Sequence, residues 1–224
     1  MEEQVERLAS KAWARYQCTP ADQRLLIGIA GIPGSGKTTL ARAVARRLDA
    51  DVCAVVPMDG FHLTRAALSA LPDPARAHAR RGAAFTFAAA KFLRLVRALR
   101  ARPPSPVLAP SFDHAAKDPV EDDIAVGPAH RLVLLEGNYL ALDEPVWREA
   151  AALLDELWFV DVDAAVARRR LCARHVRAGI ARDFDEANRR VSENDLVNGD
   201  EILARRLPVD ELVESREDGG WVHD

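Results

Sequence analysis

Four short runs of apolar residues alternate with segments in which apolar side chains recur every three or four positions. The runs occupy residues 25–30, 51–59, 131–136 and 157–161. Continuous apolar runs are typical of parallel strands buried on both faces, and the wider spacing is typical of amphipathic helices. The sequence therefore predicts an α/β fold with a doubly wound, mainly parallel sheet that carries helices on both faces.

The same pattern divides the chain, which we expect to form a single domain over residues 1–224. A leading helix is expected within residues 1–20, where apolar positions follow helical spacing. A basic helix that begins at residue 164 predicts an arginine-rich lid over residues 164–182. The alternation breaks at residues 60–130, which we interpret as an inserted substrate-binding or cap region.

Inside this insertion, a helix is expected at residues 91–100, where apolar residues share one face. The prolines of residues 103–110 and the polar stretch 111–119 predict loops. Nearer the C-terminus, residues 185–197 are expected to be helical. Residues 209–222 have the composition of two short strands around a glycine turn.

A glycine-rich segment follows the first apolar run directly and leads into a helix. Gly31, Gly36, Lys37 and Thr38 occupy the fixed positions of G-x-x-x-x-G-K-[ST], the P-loop. Glycines let backbone N–H groups face an oxyanion, lysine reaches the terminal phosphates, and the hydroxyl can hold Mg²⁺. The alternative is an ordinary glycine turn between a strand and a helix. The predicted nucleotide-binding residues are Gly31, Gly34, Ser35, Gly36, Lys37, Thr38 and Thr39.

Composition narrows the possible partners. The 224 residues include 31 Lys and Arg against 34 Asp and Glu, so the formal charge of −3 gives no electrostatic reason to expect nucleic acid. Three scattered cysteines argue against a disulfide framework and a zinc site. The sequence contains neither a signal-peptide pattern at its start nor 18 consecutive apolar residues. We therefore expect a cytoplasmic protein without nucleic-acid or membrane partners, and a homodimer is left open.

Two acids end apolar runs at the sheet edge where a parallel α/β protein binds its ligands. Glu136 is predicted to position Mg²⁺, although a surface acid that caps a turn is the alternative. Asp59 could accept the proton of a hydroxyl that attacks the γ-phosphate, or it could simply cap a helix. His62 lies close enough in sequence to contact a substrate or to be an ordinary loop histidine.

The basic helix of the lid has a chemical use if it covers a nucleotide. Charge that develops on a transferring phosphoryl group needs hydrogen-bond donors, and the planar guanidinium suits this task. Arg170 and Arg174, four residues apart, are the predicted pair. The alternative is a solvated charged face.

An ordered series of motifs extends the P-loop along the chain. GIPGSGKTT, PMDGFHL, RRGAAFTF, PSFDHAAKD, VLLEGNYLALDEPVWRE, RRRLCARHVRAG and SENDLVNGDEI together resemble the phosphoribulokinase/uridine kinase family, over about residues 25–212. The MDGFHL and EGNYL forms most resemble type I pantothenate kinases and fructose transport system kinases. The resemblance implies a P-loop kinase fold, ATP with Mg²⁺, and a small-molecule hydroxyl as acceptor. It further implies catalytic roles for Asp59, Lys37, Arg170 and Arg174, a metal site at Thr38 and Glu136, and Asp113 and His114 in the substrate loop.

One position departs from the family pattern. An aromatic residue followed by Asp is usual after the basic-glycine pair, but here Phe87 precedes Ala88, which has no side-chain polar atom for a hydroxyl. The expected function is phosphoryl transfer from ATP to a sugar or sugar-like acceptor, with pantothenate or a nucleoside as the alternative acceptor. A P-loop ATPase or GTPase that acts as a switch or chaperone is the alternative from another class.

Overall fold

The computed structural model describes residues 1–216, and a parallel five-stranded sheet lies at its centre. The strand order is β2-β5-β1-β6-β7, and every neighbouring pair is parallel. Two further strands, β3 and β4, pair only with each other. In chain order the strands are β1 Leu25–Gly31, β2 Cys53–Pro57, β3 Val107–Asp113, β4 Asp118–Val126, β5 Leu132–Gly137, β6 Glu156–Asp161 and β7 Glu211–Glu214.

Helices cover both faces of this sheet, as the apolar pattern predicted. Successive side chains of β1 point to opposite faces, so Ile27 and Ile29 join a cluster with Leu8 and Leu40, while Leu26 joins a larger cluster on the other face. None of the described helices is both long and apolar enough to span a membrane. The helices are α1 Glu2–Cys18, α2 Lys37–Ala45, α3 Arg65–Ser69, α4 Pro74–Ala79, α5 Ala89–Leu99, α6 Pro145–Ala151, α7 Ala164–Arg177, α8 Phe184–Arg190 and α9 Leu196–Ala204.

The prediction of loops at residues 103–119 is wrong in its C-terminal part. Residues 107–126 form an antiparallel hairpin in which Val107 pairs with Val126 and Asp113 with Asp118. Its register shifts at Pro110, between Ala109 and Ser111. Proline is tolerated at such irregularities because the residue need not donate to the ladder. The proline therefore marks a bulge in a strand here.

The helix predicted at residues 185–197 is longer than expected and is not a uniform α-helix. It runs as α8, a single π-helical turn at Val191–Asp195, and α9, which ends at Ala204. Gly199 lies within α9 and does not end it. A Cβ at this position would lie 3.5 Å from Ile32, an ordinary contact distance. Of the two strands expected in residues 209–222, β7 is present, and the second lies outside the described residues.

The turn that carries Asp59 is fixed by close contacts at two glycines. It is a 3₁₀ turn, Met58–Phe61, that directly follows β2. A Cβ on Gly137 would lie 2.3 Å from the Cβ of Met58, and a Cβ on Gly60 would lie 2.0 Å from the carbonyl oxygen of Pro110. The first contact sets the turn against the end of β5, and the second sets it against β3. Glycine is thus required on both sides for the turn to occupy this position.

We expect Gly60→Ala to destabilise the protein by about 1 to 3 kcal/mol, since the added methyl group meets backbone that cannot rotate away. Gly127→Ala is the matched control, because nothing lies within 4 Å of a Cβ at that position. Urea unfolding of both variants measures the difference. Equal free energies of unfolding for the two variants would contradict the close approach of Gly60 to Pro110.

Candidate active site

The loop between β1 and α2 has the backbone of a phosphate cradle. Gly34 and Gly36 have φ values of 78° and 92°, which favour glycine over residues with a side chain. A Cβ on Gly31 would lie 2.5 Å from Ser35 Oγ. Ser35 Oγ is itself buried and has no hydrogen-bond partner among residues 1–216. A buried hydroxyl without a partner beside a glycine loop fits a site that a phosphate group completes.

A buried pair lies at the start of α2. Thr38 Oγ1 donates a hydrogen bond of 3.0 Å to Glu136 Oε1, and Glu136 is only 4% exposed at the end of β5. Burial raises the pKa of the Glu136 carboxyl to about 7, although Lys37 and the hydrogen bond from Thr38 favour the ionised form. A hydroxyl and a carboxylate are the oxygen ligands that Mg²⁺ takes beside phosphates. Their adjacency fits the predicted magnesium site.

Lys37 lies between the acids and the lid. Burial lowers the pKa of its ammonium group, an effect that Arg174 reinforces and that Glu136 and Asp59 oppose. Its Nζ is 3.5 Å from the carbonyl oxygen of Ile32. Lys37 is thus a partly desolvated cation, a state that a phosphate ligand would stabilise.

Helix α7 lies over the glycine loop. Arg170 Nη1 donates to the carbonyl oxygen of Gly34 at 3.3 Å and to Ser215 Oγ at 2.9 Å. A Cβ on Gly34 would also approach the backbone of Ala167 to 2.8 Å. The lid therefore rests directly on the P-loop, and Arg170 ties the two together.

Two cavities meet at this point. The first, of about 300 Å³, lies between the P-loop and α7, and the second, of about 410 Å³, opens towards the hairpin. Both are lined by Gly34, Lys37, Thr38 and Arg174, whereas Asp59 lines only the second. The shared residues thus form the boundary between a space beside the P-loop and a second space that contains the candidate base.

His62 presents a defined face to the second cavity. Its Nδ1 is 2.8 Å from the carbonyl oxygen of Asp59, and its ring lies 4.0 Å from that of Phe87 and 4.9 Å from that of Phe112. Burial lowers the pKa of the imidazole. Because a carbonyl oxygen can only accept, Nδ1 carries the proton, and Nε2 is the acceptor of the neutral ring.

The structure brings most of the predicted residues together. Lys37, Thr38, Thr39, Arg170 and Arg174 line the first cavity, and Asp59, His62, His114 and Glu136 line the second. Gly31 and Ser35, which were also predicted to bind the nucleotide, line neither cavity.

Asp113 differs from this group. It lies at the tip of the hairpin, where its exposed carboxylate accepts hydrogen bonds from the N–H groups of Ala115 and Ala116, and it does not line the second cavity. The contacts of Asp113 are those of a turn-capping residue.

Several residues of the second cavity received no role from the sequence. Arg81 lies beside it and is paired with Asp118 of β4. Asn138 follows β5 directly, and its buried Oδ1 has no hydrogen-bond partner among the described residues. Others are His175 of α7 and the π-turn residues Asn194 and Asp195. Asn138 lies in the EGNYL motif and Asn194 in the SENDLVNGDEI motif. These motifs could therefore have indicated both residues from the sequence.

The parallel sheet, the glycine loop and the Thr38–Glu136 pair define a protein of the P-loop kinase class, and comparisons with known proteins identify the family. Residues 26–186 match the phosphoribulokinase/uridine kinase family. The chain is 53% identical over 167 residues to an ATP-dependent kinase-like protein of Aspergillus versicolor, which covers 73% of this chain and 95% of the relative. It is 43% identical over 180 residues to a "putative uridine kinase" of Schizosaccharomyces pombe. That match covers 79% of this chain and 77% of the relative.

A solved structure agrees with this assignment. The "putative fructose transport system kinase" of Silicibacter superposes with a TM-score of 0.80 at 36% identity, over 92% of this chain and 98% of the other. The chain belongs to the phosphoribulokinase/uridine kinase family, and it is an ATP-dependent kinase. The expected phosphotransferase is thereby confirmed over the alternative of a nucleotide-driven switch or chaperone.

The raised pKa of Glu136 predicts a pH-dependent stability. In metal-free and nucleotide-free protein, the folded state keeps a proton on Glu136 up to about pH 7, whereas the unfolded chain loses it near the ordinary glutamate pKa of 4.5. The free energy of unfolding should therefore fall as pH rises through this window. Glutamine does not titrate, so Glu136→Gln should not lose stability in this way. Its free energy of unfolding relative to that of the unaltered protein should therefore increase by about 1 to 3 kcal/mol as the pH rises from about 4.5 to about 7.

Urea unfolding in the presence of a chelator, at several pH values, measures this difference for the two proteins. Comparison of variant with parent cancels the contributions of all other titrating groups. A difference that stays constant with pH would contradict the assignment of a buried, protonated Glu136.

Proposed function

We propose that the chain transfers the γ-phosphoryl group of ATP to a hydroxyl group of a sugar or sugar-like molecule. The arrangement of the two cavities carries this proposal. A nucleotide in the first cavity would direct its terminal phosphate towards Lys37, Thr38 and Arg174, which also line the second. An acceptor in the second cavity would then lie beside Asp59.

On the nucleotide side, the backbone N–H groups of the loop and the N-terminus of α2 bind the phosphates. Lys37 contacts the terminal phosphate, and Arg174 stabilises charge on the group that is transferred. Arg170 acts differently, because its contacts to Gly34 and Ser215 hold the lid on the loop. Arg170 therefore holds the phosphate-binding loop in position under the lid.

Thr38 and Glu136 would hold Mg²⁺ on the same side. The hydroxyl is suited to ligate the ion directly, and the carboxylate ligates the ion or its water. The bound ion would supply positive charge that neutralises the phosphate oxygens. It would also favour the ionised form of Glu136, which burial alone disfavours.

On the acceptor side, Asp59 takes the proton of the attacking hydroxyl. As the oxygen–phosphorus bond to the acceptor forms, the bond between the γ-phosphorus and the bridging oxygen of ADP breaks, and ADP keeps that electron pair. The products are the phosphorylated acceptor, ADP and the proton on Asp59. Gly60 within the turn and Gly137 beside it fix the place of the base during this step.

The lining of the second cavity favours a polyol over a nucleobase. It is dominated by charged and amide side chains, and Phe112 supplies the one phenyl ring among the described lining residues. A nucleobase would call for aromatic faces on which to stack, whereas sugar hydroxyls call for polar side chains. Ala88 does not line the cavity, and its N–H donates to the carbonyl oxygen of Phe61 at 2.8 Å.

We further propose a cytoplasmic location. Cys18, Cys53 and Cys172 are free thiols, and Cys18 is exposed. Free thiols persist in reducing compartments.

We expect Asp59→Asn to lower phosphoryl transfer by about 100-fold or more, the usual scale for the loss of a general base. The affinity for ATP should stay close to that of the parent, since Asp59 lines only the second cavity. Acceptor-dependent ADP release and equilibrium binding of ATP measure the two effects. Asp51→Asn is the control, because Asp51 precedes β2 at the opposite edge of the sheet and is exposed. An unimpaired rate in Asp59→Asn would remove Asp59 from this role.

ADP release with Mg²⁺ tests the acceptor class directly. The panel contains D-fructose, D-ribose, ribitol, glycerol, uridine and pantothenate, and uridine is included because one relative is named as a uridine kinase. We expect a sugar or polyol to stimulate turnover more than uridine or pantothenate does. Preferential stimulation by uridine or pantothenate would replace the proposed acceptor with that compound.

A further inference from the structure

A carboxylate on the lid side of the second cavity has no role in the reaction described so far. Asp195 ends the π-helical turn Val191–Asp195 and lines this cavity together with Asn194 and, from α9, Asn198. Single π-helical turns occur often at functional sites because they displace side chains from the regular helical pattern. Asp195, which this turn places in the cavity, is therefore a candidate for a functional role.

One carboxylate oxygen of Asp195 lacks a hydrogen-bond donor. Its Oδ2 is buried and accepts no hydrogen bond from any described residue. The nearest basic atom that faces it is Nε2 of His175, at 3.5 Å. Burial, reinforced by Arg174 and Arg190, lowers the pKa of His175 to about 4, so the imidazole is neutral near pH 7 and does not form an ion pair with Asp195.

The surrounding charges favour an ionised Asp195. Burial nevertheless has the larger effect and raises the pKa of its carboxyl, while Arg174, Arg190, its own backbone N–H and Lys37 oppose that rise. None of these three cations donates a hydrogen bond to Oδ2 within the described part of the chain, and a buried carboxylate oxygen without a donor costs free energy. A donor that arrives with a ligand would remove this cost.

Neighbouring amides hold the turn in place. Asn194 Nδ2 donates to the carbonyl oxygen of Arg81 at 2.9 Å, and Asn198 Oδ1 accepts from Arg80 Nη2 at 2.6 Å. Both contacts reach across to the segment around Gly82, on the other side of the cavity. Through these contacts the two amides fix the wall. The buried Oδ1 atoms of Asn194 and Asn138 and the buried Oδ2 of Asp195 remain without a donor among residues 1–216, and of these three acceptors only Asp195 belongs to a carboxyl group.

We propose that Asp195 accepts a hydrogen bond from a second hydroxyl group of the acceptor, while Asp59 engages the hydroxyl that is phosphorylated. The acceptor is then a molecule with at least two hydroxyl groups, and Asp195 is a specificity-determining residue. This inference rests on the proposed function. It also explains how the cavity recognises a polyol although Ala88 offers no side-chain acceptor.

Kinetics of Asp195→Ala and Asp195→Asn test the proposal, with D-fructose, D-ribose and ribitol and their monodeoxy analogues as acceptors. In the unaltered enzyme, one monodeoxy analogue of the best acceptor should have a KM about 10- to 100-fold higher, since a donor to a charged group is lost. In Asp195→Ala the KM of the full polyol should rise by a similar factor. The KM of the monodeoxy analogue should then be about equal to that of the full polyol. Asp195→Asn should recover part of the discrimination, because its amide oxygen still accepts.

Glu193→Ala is the matched control, since it removes an exposed carboxylate from the same π-helical turn and should leave both KM values unchanged. ATP affinity and the far-ultraviolet circular dichroism of each variant separate the proposed role from a folding defect. If a polyol is the acceptor but Asp195→Ala keeps its KM and its discrimination, Asp195 has no part in recognition and the proposed function stands. If no polyol stimulates turnover of the unaltered enzyme, both proposals are overturned.

Discussion

The position of β5 between β1 and β2 is the constraint on which the site depends. Parallel register places Glu136 beside Ile29 on one side and beside Pro57 on the other. The P-loop leaves the sheet from β1, and the turn with Asp59 leaves it from β2. A buried carboxyl is thereby fixed between the nucleotide loop and the candidate base. A shift of β5 by one residue would turn Glu136 to the opposite face and separate it from Thr38.

The nucleotide side and the acceptor side of the site are formed by different kinds of structural element. Backbone and buried side chains form the nucleotide side, where positive φ angles at Gly34 and Gly36 and a buried Glu136 leave few alternatives. The acceptor side is assembled from the ends of several segments: the 3₁₀ turn, the hairpin, the lid and the π-helical turn. Its side chains can change without disturbing the sheet. This division lets one fold keep ATP as donor while the acceptor varies.

The sequence predicted the sheet and the nucleotide side because their physical signals are local. Continuous apolar runs indicate buried parallel strands, and the P-loop residues are contiguous. The hairpin was missed because β4 is largely exposed and β3 contains a proline at a bulge. The π-helical turn depends on backbone hydrogen bonds for which sequence has no clear pattern. Asp113 matched a family motif, yet only the structure revealed that its carboxylate is occupied by the amides of Ala115 and Ala116.

The π-helical turn connects the fold to the choice of acceptor. In a regular α-helix, Asn194 and Asn198 would share a face, while Asp195 would lie about 100° around the axis from Asn194. Asp195 ends the π-helical turn and lines the same cavity as both amides. The turn packs Val191 into a buried cluster with Leu171 and Cys172, but the buried Oδ2 of Asp195 without a donor still costs free energy. Such a combination is retained most readily where a ligand completes it, so the hydroxyl donor missing from the protein is best supplied by the acceptor itself.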